Sequence, residues 1–186
     1  MEDLSVLPVF QKLDGRRVVL VGGGAAAAWK AELIAAAGAR VDIYAVELED
    51  EMSELIARGA GDRGEFLHHS RPRATDIFNH AALAVAELES DGEAQAFFCA
   101  ARAAGVPVNV IDKPRFCEFQ FGGIVNRSPA VIAISTDGAA PILGQAIRRR
   151  VETLVPPFIA DWAAIARSIR GRVGNALEMG LPRRAF

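Results

Sequence analysis

The sequence predicts an α/β fold: a Rossmann-like, doubly wound parallel sheet, followed by a small β element and a helical C-terminal part. Three observations predict it. The aliphatic run Val18–Val21 meets Gly22-Gly23-Gly24 and passes directly into alanine-rich helix. Short continuous apolar runs then alternate with helical stretches as far as Asp112, the pattern of parallel strands buried on both faces. Near Lys113 the texture changes to two apolar runs joined by a turn signal, and then to helix. A chain of 186 residues with 51% hydrophobic content can bury a real core.

The elements follow in order. Residues 16–22 read as a first strand and 25–37 as a helix. Residues 40–46 read as a second strand and 49–58 as a second helix. The run HAALAVA, 80–86, reads as a buried parallel strand. A helix over 92–104 leads into VPVNVID, 106–112, as the next strand, with right-handed crossovers throughout. The runs 116–125 and 130–136 flank Asn126-Arg127-Ser128-Pro129 and predict antiparallel strands. From Pro141 the pattern is helical up to Pro156-Pro157, and a second helix follows over 158–173. The end, 175–186, reads as fraying or as a linker cut short. The predicted domains are 1–113, 114–150 and 151–186.

Composition narrows the class. A net charge of −2 points to neither nucleic acid nor membrane as a partner. The opening MEDLSVLPVF has no basic n-region, and no stretch reaches the roughly 18 apolar residues of a membrane span. Cys99 and Cys117 form no C-x-x-C pair. A cytoplasmic location is expected.

Gly22, Gly24 and Ala27 fit the form G-x-G-x-x-A. The first glycine permits the turn, the second lets the backbone approach a pyrophosphate, and the small third residue lets helix and strand pack closely. The helix start offers its free N–H groups to the phosphates. Glu47 lies near the roughly 20-residue offset at which an acid takes the ribose hydroxyl. NAD-type binding is the expectation, with an ordinary αβ turn packed by small residues as the plain alternative. With no Arg in AVELED to receive a 2′-phosphate, NAD is expected over NADP.

Asp112 falls at the carboxyl end of a predicted strand, where open α/β sheets bind ligands. It is placed either to exchange a proton with a substrate or to cap the turn before Lys113-Pro114. The loop STDGAAP, 135–141, with Ser135, Thr136 and Gly138, is placed to hold an anion at a helix start. A plain N-cap by Thr136 or Asp137 is the alternative. Arg148-Arg149-Arg150 reads as substrate-facing or as a solvated helix face. His68-His69 and His80 lack metal-ligand spacing, so no protein metal site is expected. Tyr44 has no lysine four positions on, and neither G-x-S-x-G nor a Walker phosphate loop occurs.

Four segments together carry a resemblance: LPVFQKLDGRRVVLVGGG, AAAAWKAELIAAAGA, VNVIDKP and GGIVNRSPAVIAISTDGAAPILGQAIRRRVE. They resemble the precorrin-2 dehydrogenase/sirohydrochlorin ferrochelatase module of siroheme synthase, over most of residues 4–160. The resemblance implies an NAD-binding domain, a small β dimerisation domain and a helical domain in an intertwined homodimer. It implies NAD-dependent dehydrogenation of precorrin-2 to sirohydrochlorin. It also implies insertion of Fe2+, a chelation substrate and not a structural metal, to give siroheme. One aspartate, matching Asp112, would serve both steps. Cofactor contacts would fall on Gly22, Gly23, Gly24, Ala25, Ala26, Val46 and Glu47. Asn109, in the shared Asn-x-x-Asp, and the loop residues Ser135, Thr136 and Gly138 would face substrate. Thr136 matches a serine that is phosphorylated in some members. The chain departs from the family at Trp29, where a basic residue is common. It departs again at Glu87, which would bring negative charge close to an anionic cofactor. No methyltransferase domain of the kind fused to this module in some bacteria is present, so the chain reads as a stand-alone enzyme or an N-terminal piece. A non-catalytic dinucleotide- or tetrapyrrole-binding module on the same fold is the second expectation.

Overall fold

The structure is a computed structural model, and it describes residues 3–71 and 75–176. Its first part runs β1 (Arg17–Val21), α1 (Ala25–Ala36), β2 (Arg40–Tyr44), α2 (Asp50–Arg58), β3 (Glu65–His69), β4 (Leu83–Ala86), α3 (Asp91–Ala103) and β5 (Val108–Val110). The five strands form one sheet in the order β3-β2-β1-β4-β5, every pair parallel. The chain reverses direction of winding between β1 and β4, which makes the carboxyl edge there a switch point.

Local sequence explains the elements. Val18, Val19 and Leu20 are fully buried in the central strand β1. Helix α1 packs through Ala27, Ala28, Ala31, Ile34 and Ala35, small residues that let it lie close to the sheet. It stops at Gly38, whose φ of 88° most residues avoid and whose N–H reaches the Ala35 carbonyl at 2.8 Å. Helix α3 starts on a serine N-cap. The Ser90 hydroxyl accepts the Glu93 N–H at 3.2 Å and donates to the Glu93 carboxylate at 3.0 Å. One face of the sheet packs with α3 around Val19, Val21, Phe78, Phe97 and Val108.

The structure departs from the sequence reading at four places. Strand β3 was not expected: Glu-Phe-Leu-His-His shows no apolar run, because an edge strand needs only half of its side chains covered. The strand expected over 80–86 begins at Leu83, since His80 turns left-handed at φ 59°. The strand expected over 106–112 is only Val108–Val110, cut short by Asp112 at φ 58°. The strand expected over 116–125 begins at Gly123, and Phe116 instead closes a single 3-10 turn, buried in the first part's core.

Residues 9–120 form one compact unit, and residues 3–8 with 121–176 form a second. The second contains the antiparallel pair β6 (Gly123–Arg127) and β7 (Ala130–Ile134), in register from Gly123 opposite Ile134 to Arg127 opposite Ala130. Helices α4 (Pro141–Leu154) and α5 (Ile159–Ala176) follow. Arg127 donates from Nε to the Val155 carbonyl at 2.7 Å, tying the hairpin to the end of α4. No residue of α4 is buried, and Ile142, Leu154, Phe158 and Trp162 are exposed. Of the expected tail, Asn175 and Ala176 close α5, and the rest lies outside the described residues. Among the described residues, no helix is long and apolar enough to cross a membrane.

Candidate functional site

Because all five strands are parallel, their carboxyl ends share one edge of the sheet. The glycine triplet follows β1, residues 45–49 follow β2, Glu87 follows β4 and Asp112 lies just past β5. Gly22 sits at φ 124°, a conformation side chains resist, and its N–H donates to the Tyr44 carbonyl at 3.1 Å. A Cβ on Gly23 would collide with the Glu47 carbonyl oxygen. The Gly23 carbonyl in turn accepts the Glu49 N–H at 2.9 Å. The glycine loop and the loop after β2 are therefore laced together through their backbones. Gly24 is the residue before α1, and no side chain of its own neighbourhood caps the helix there. Ala25 is exposed, Ala26 half-buried and Ala27 fully buried, so the small third residue packs helix onto strand as expected. Val46 and Glu47 are exposed at the end of β2.

The first N–H groups of α1 already receive anionic oxygens. The Gly24 N–H donates to Glu87 Oε2 at 3.0 Å, and the Ala25 N–H donates to Glu49 Oε2 at 3.3 Å. A Cβ on Gly24 would lie 2.6 Å from Glu87 Oε2, so the glycine makes room for an anion close to its backbone. This geometry fits the pyrophosphate of a dinucleotide: a helix N-terminus whose first N–H groups already take anionic oxygens as partners.

Asp112 is exposed in its left-handed turn. Burial lowers the pKa of Lys30 of α1, and the Asp112 carboxylate and then Cys117 pull it part of the way back up. The Lys30 ammonium lies 4.2 Å from the centroid of the Trp29 ring. Burial pushes the Cys117 thiol up, with Lys30 pulling the other way, and its Sγ lies 3.2 Å from the Val110 carbonyl. Lys113, next to Asp112, pairs with Asp91 at 2.5 Å, and that contact holds the Asp91 carboxyl below its usual range. Asn109 is buried and donates from Nδ2 to the Phe119 carbonyl at 2.8 Å, so its amide holds the segment after Asp112.

The loop of Ser135, Thr136 and Gly138 belongs to the second unit. The Asp137 N–H donates to Ser135 Oγ at 3.0 Å, and Asp137 and Gly138 both have positive φ. Neither Thr136 nor Asp137 caps α4: the cap position is Ala140, with Pro141 at the first turn. The N-cap alternative is thereby set aside, because the tight turn at Asp137-Gly138 ends before the helix begins. Thr136 instead leans on α4, its Cγ2 being 3.6 Å from where a Cβ of Gly144 would be. Of the arginine run, Arg148 pairs with Glu152 at 2.9 Å, while Arg149 and Arg150 are exposed.

Sequence reasoning missed what β3 brings to the edge. The His69 ring stacks on Tyr44 at 4.5 Å, and the Arg71 guanidinium lies 5.3 Å from the Tyr44 centroid. Arg71 thus stands beside the end of β2, a basic group that the segment AVELED itself lacks. The signal was the order of strands, which a five-residue edge strand without apolar pattern does not announce. Among the described residues, no group of three or more His, Cys, Asp or Glu gathers as metal ligands would.

Fold and glycine cradle together define a dinucleotide-binding protein. A family model described as "Putative NAD(P)-binding" matches residues 9–123, and the chain belongs to this family. It is 38% identical over 186 residues to a siroheme synthase of Stutzerimonas stutzeri, covering 98% of the chain and 38% of that protein. A siroheme synthase of Ectopseudomonas mendocina is 37% identical over 183 residues, with the same coverage. The chain thus spans about two fifths of the length of the curated relatives it matches. A solved structure titled "SirC, precorrin-2 dehydrogenase" superposes with a TM-score of 0.68 at 20% identity, covering 97% of this chain and 86% of that one. That likeness shows the shared fold.

Proposed function

We propose that the chain is an NAD-dependent precorrin-2 dehydrogenase that forms sirohydrochlorin on the way to siroheme. The observation that carries it is the placement of Asp112, exposed and left-handed, on the same sheet edge as the glycine cradle. The named relatives agree with this reading. Bound NAD+ would supply the hydride acceptor. Gly22, Gly23 and Gly24, with Ala25 and Ala26, would hold its pyrophosphate through backbone N–H groups, and Val46 and Glu47 would face its ribose. The Asp112 carboxylate takes the proton that leaves as the macrocycle is oxidised. Burial disfavours the Lys30 ammonium, and the Asp112 carboxylate acts on it in the opposite sense, so the two groups are coupled by charge. Asn109 positions the following segment, and Ser135, Thr136 and Gly138 form the substrate-side loop.

The proposal extends to Fe2+ insertion into sirohydrochlorin, with Asp112 accepting the pyrrole protons. The macrocycle would supply the metal's ligands, so no protein cluster is called for. The domains proposed are 1–113 for cofactor, 114–150 for dimerisation and 151–186 for the helical part. A homodimer is proposed because the hairpin and α4 leave Val131, Ile142, Leu143 and Ile147 exposed in a single chain. A non-catalytic binding module is the second reading, and the Glu87 carboxylate on the Gly24 N–H is what favours it.

The test is formation of sirohydrochlorin from precorrin-2 and NAD+, followed by absorbance. Asp112→Ala should lower the rate about 100-fold or more while circular dichroism stays unchanged. A rate within a few-fold of wild type overturns the role of Asp112. No product from the wild-type chain, with NAD+ still bound, favours the second reading.

A further inference from the structure

The phosphate seat of the glycine loop is in the possession of one of the chain's own side chains. Glu87 follows β4, and its N–H continues the ladder to the Val21 carbonyl at 2.8 Å. That bond fixes its backbone beside the glycines. From there the side chain folds over the loop. A Cβ on Gly22 would lie 2.9 Å from Glu87 Cβ, and a Cβ on Gly24 would lie 2.6 and 2.9 Å from its two carboxylate oxygens. Oε2 takes the Gly24 N–H at 3.0 Å. The room that the glycines create is filled by Glu87. Helix α1 has no acidic residue in its first turn and no side-chain cap of its own, so its anions come from other loops: Glu87 on the Gly24 N–H and, at longer range, Glu49 on the Ala25 N–H.

We infer that Glu87 is a resident competitor for the cofactor's pyrophosphate and sets how tightly the dinucleotide is held. The inference rests on the cofactor reading proposed above. A pyrophosphate needs the N–H groups at the start of α1, and Glu87 must swing off Gly24 before they can serve it. After it swings, its charge stays on the same short loop, near the phosphates it has made way for. Both effects weaken binding of the phosphate part of the ligand. Neither acts on the adenosine part, which Glu87 does not reach by any contact described.

The experiment is calorimetric titration of wild type, Glu87→Gln, Glu87→Ala and Glu89→Gln with NAD+, ADP-ribose and adenosine. Glu89 is exposed on the same loop and controls for a general change of charge. Gln keeps the shape and a carbonyl oxygen for Gly24, so it guards against a folding failure in the alanine variant. Thermal melts of all four report that the fold is kept. The expected result is about tenfold tighter NAD+ and ADP-ribose in both Glu87 variants, with adenosine unchanged and Glu89→Gln like wild type. Unchanged or weaker NAD+ binding in both Glu87 variants overturns the inference while leaving the cofactor reading in place. Equal tightening for adenosine, or in Glu89→Gln, also overturns it. NAD+ binding to none of the four proteins overturns the inference and the cofactor reading together.

Discussion

On the cofactor reading proposed above, Glu47 and Arg71 would pull cofactor choice in opposite directions. Glu47 is exposed at the end of β2, where a carboxylate accepts from a ribose hydroxyl and repels a 2′-phosphate. Arg71 reaches the same end of the sheet from beyond β3, over the Tyr44 ring. The acid lies at the usual ribose offset, and the guanidinium is engaged with an aromatic face. NAD+ should therefore bind at least about tenfold more tightly than NADP+, or roughly 1.4 kcal/mol. Arg71→Ala should widen that ratio. Competitive titration of the two cofactors decides it, and equal or tighter NADP+ binding would show that Glu47 does not read the ribose. The positions of the glycines, Glu47 and Asp112 beyond strand ends are legible from the chain because each depends on local spacing. Arg71 was not legible, since its relation to Tyr44 exists only once β3 has paired with β2. Glu87 was legible as a charge near the cofactor, but its seat on Gly24 depends on β1 and β4 being neighbours.

The strands of the first unit carry one buried charged group. Asp42 of β2 takes Arg17 Nε at 2.6 Å, with side-chain exposures of 6% and 16%. Arg17 also donates to the Ile77 and Asn79 carbonyls at 2.7 and 2.8 Å and to the Tyr44 hydroxyl at 3.1 Å. The pair ties β1 and β2 to the turn before β4. Asp42→Ala would leave the part-buried Arg17 guanidinium without its carboxylate, and stability should fall by about 3 kcal/mol in urea unfolding. Replacing both, Arg17→Met with Asp42→Leu, should recover most of that loss. A single variant within 1 kcal/mol of wild type would show that water screens the pair. Apolar continuity revealed β1, β2 and β4, but it overran both β4 and β5. Strand ends are set by the left-handed turns at His80 and Asp112, which apolar pattern does not encode.

At the scale of the molecule, the two units differ in how well they are covered. The first buries a core on both faces of its sheet, whereas in the second no residue of α4 is itself buried and Trp162 and Phe158 of the α5 region are exposed. A two-stranded hairpin with two helices is too small to stand on so little burial. Light scattering at micromolar concentration should give roughly twice the chain mass. Ile142→Glu should shift the population toward monomer without altering the melt of the first unit. A clean monomer for the wild-type chain contradicts the homodimer. The helices and the hairpin were legible from Pro141 and from Asn126-Arg127-Ser128-Pro129. Which of their apolar residues stay exposed was not, because that depends on packing and not on local spacing.

The lacing of Gly23 to residues 47 and 49 has a consequence for how a ligand is received. Two loops that would each grip a different part of a dinucleotide share their backbone contacts, so they behave as one casting and not as two fingers. A casting has little freedom to lose when it is filled, and so the ordering cost of binding falls on the ligand and on the side chains that rim it. It also has no independent parts to adjust. A methyl group forced in at Gly23 would displace the Glu47 carbonyl, and damage made at the phosphate end would be registered at the ribose end.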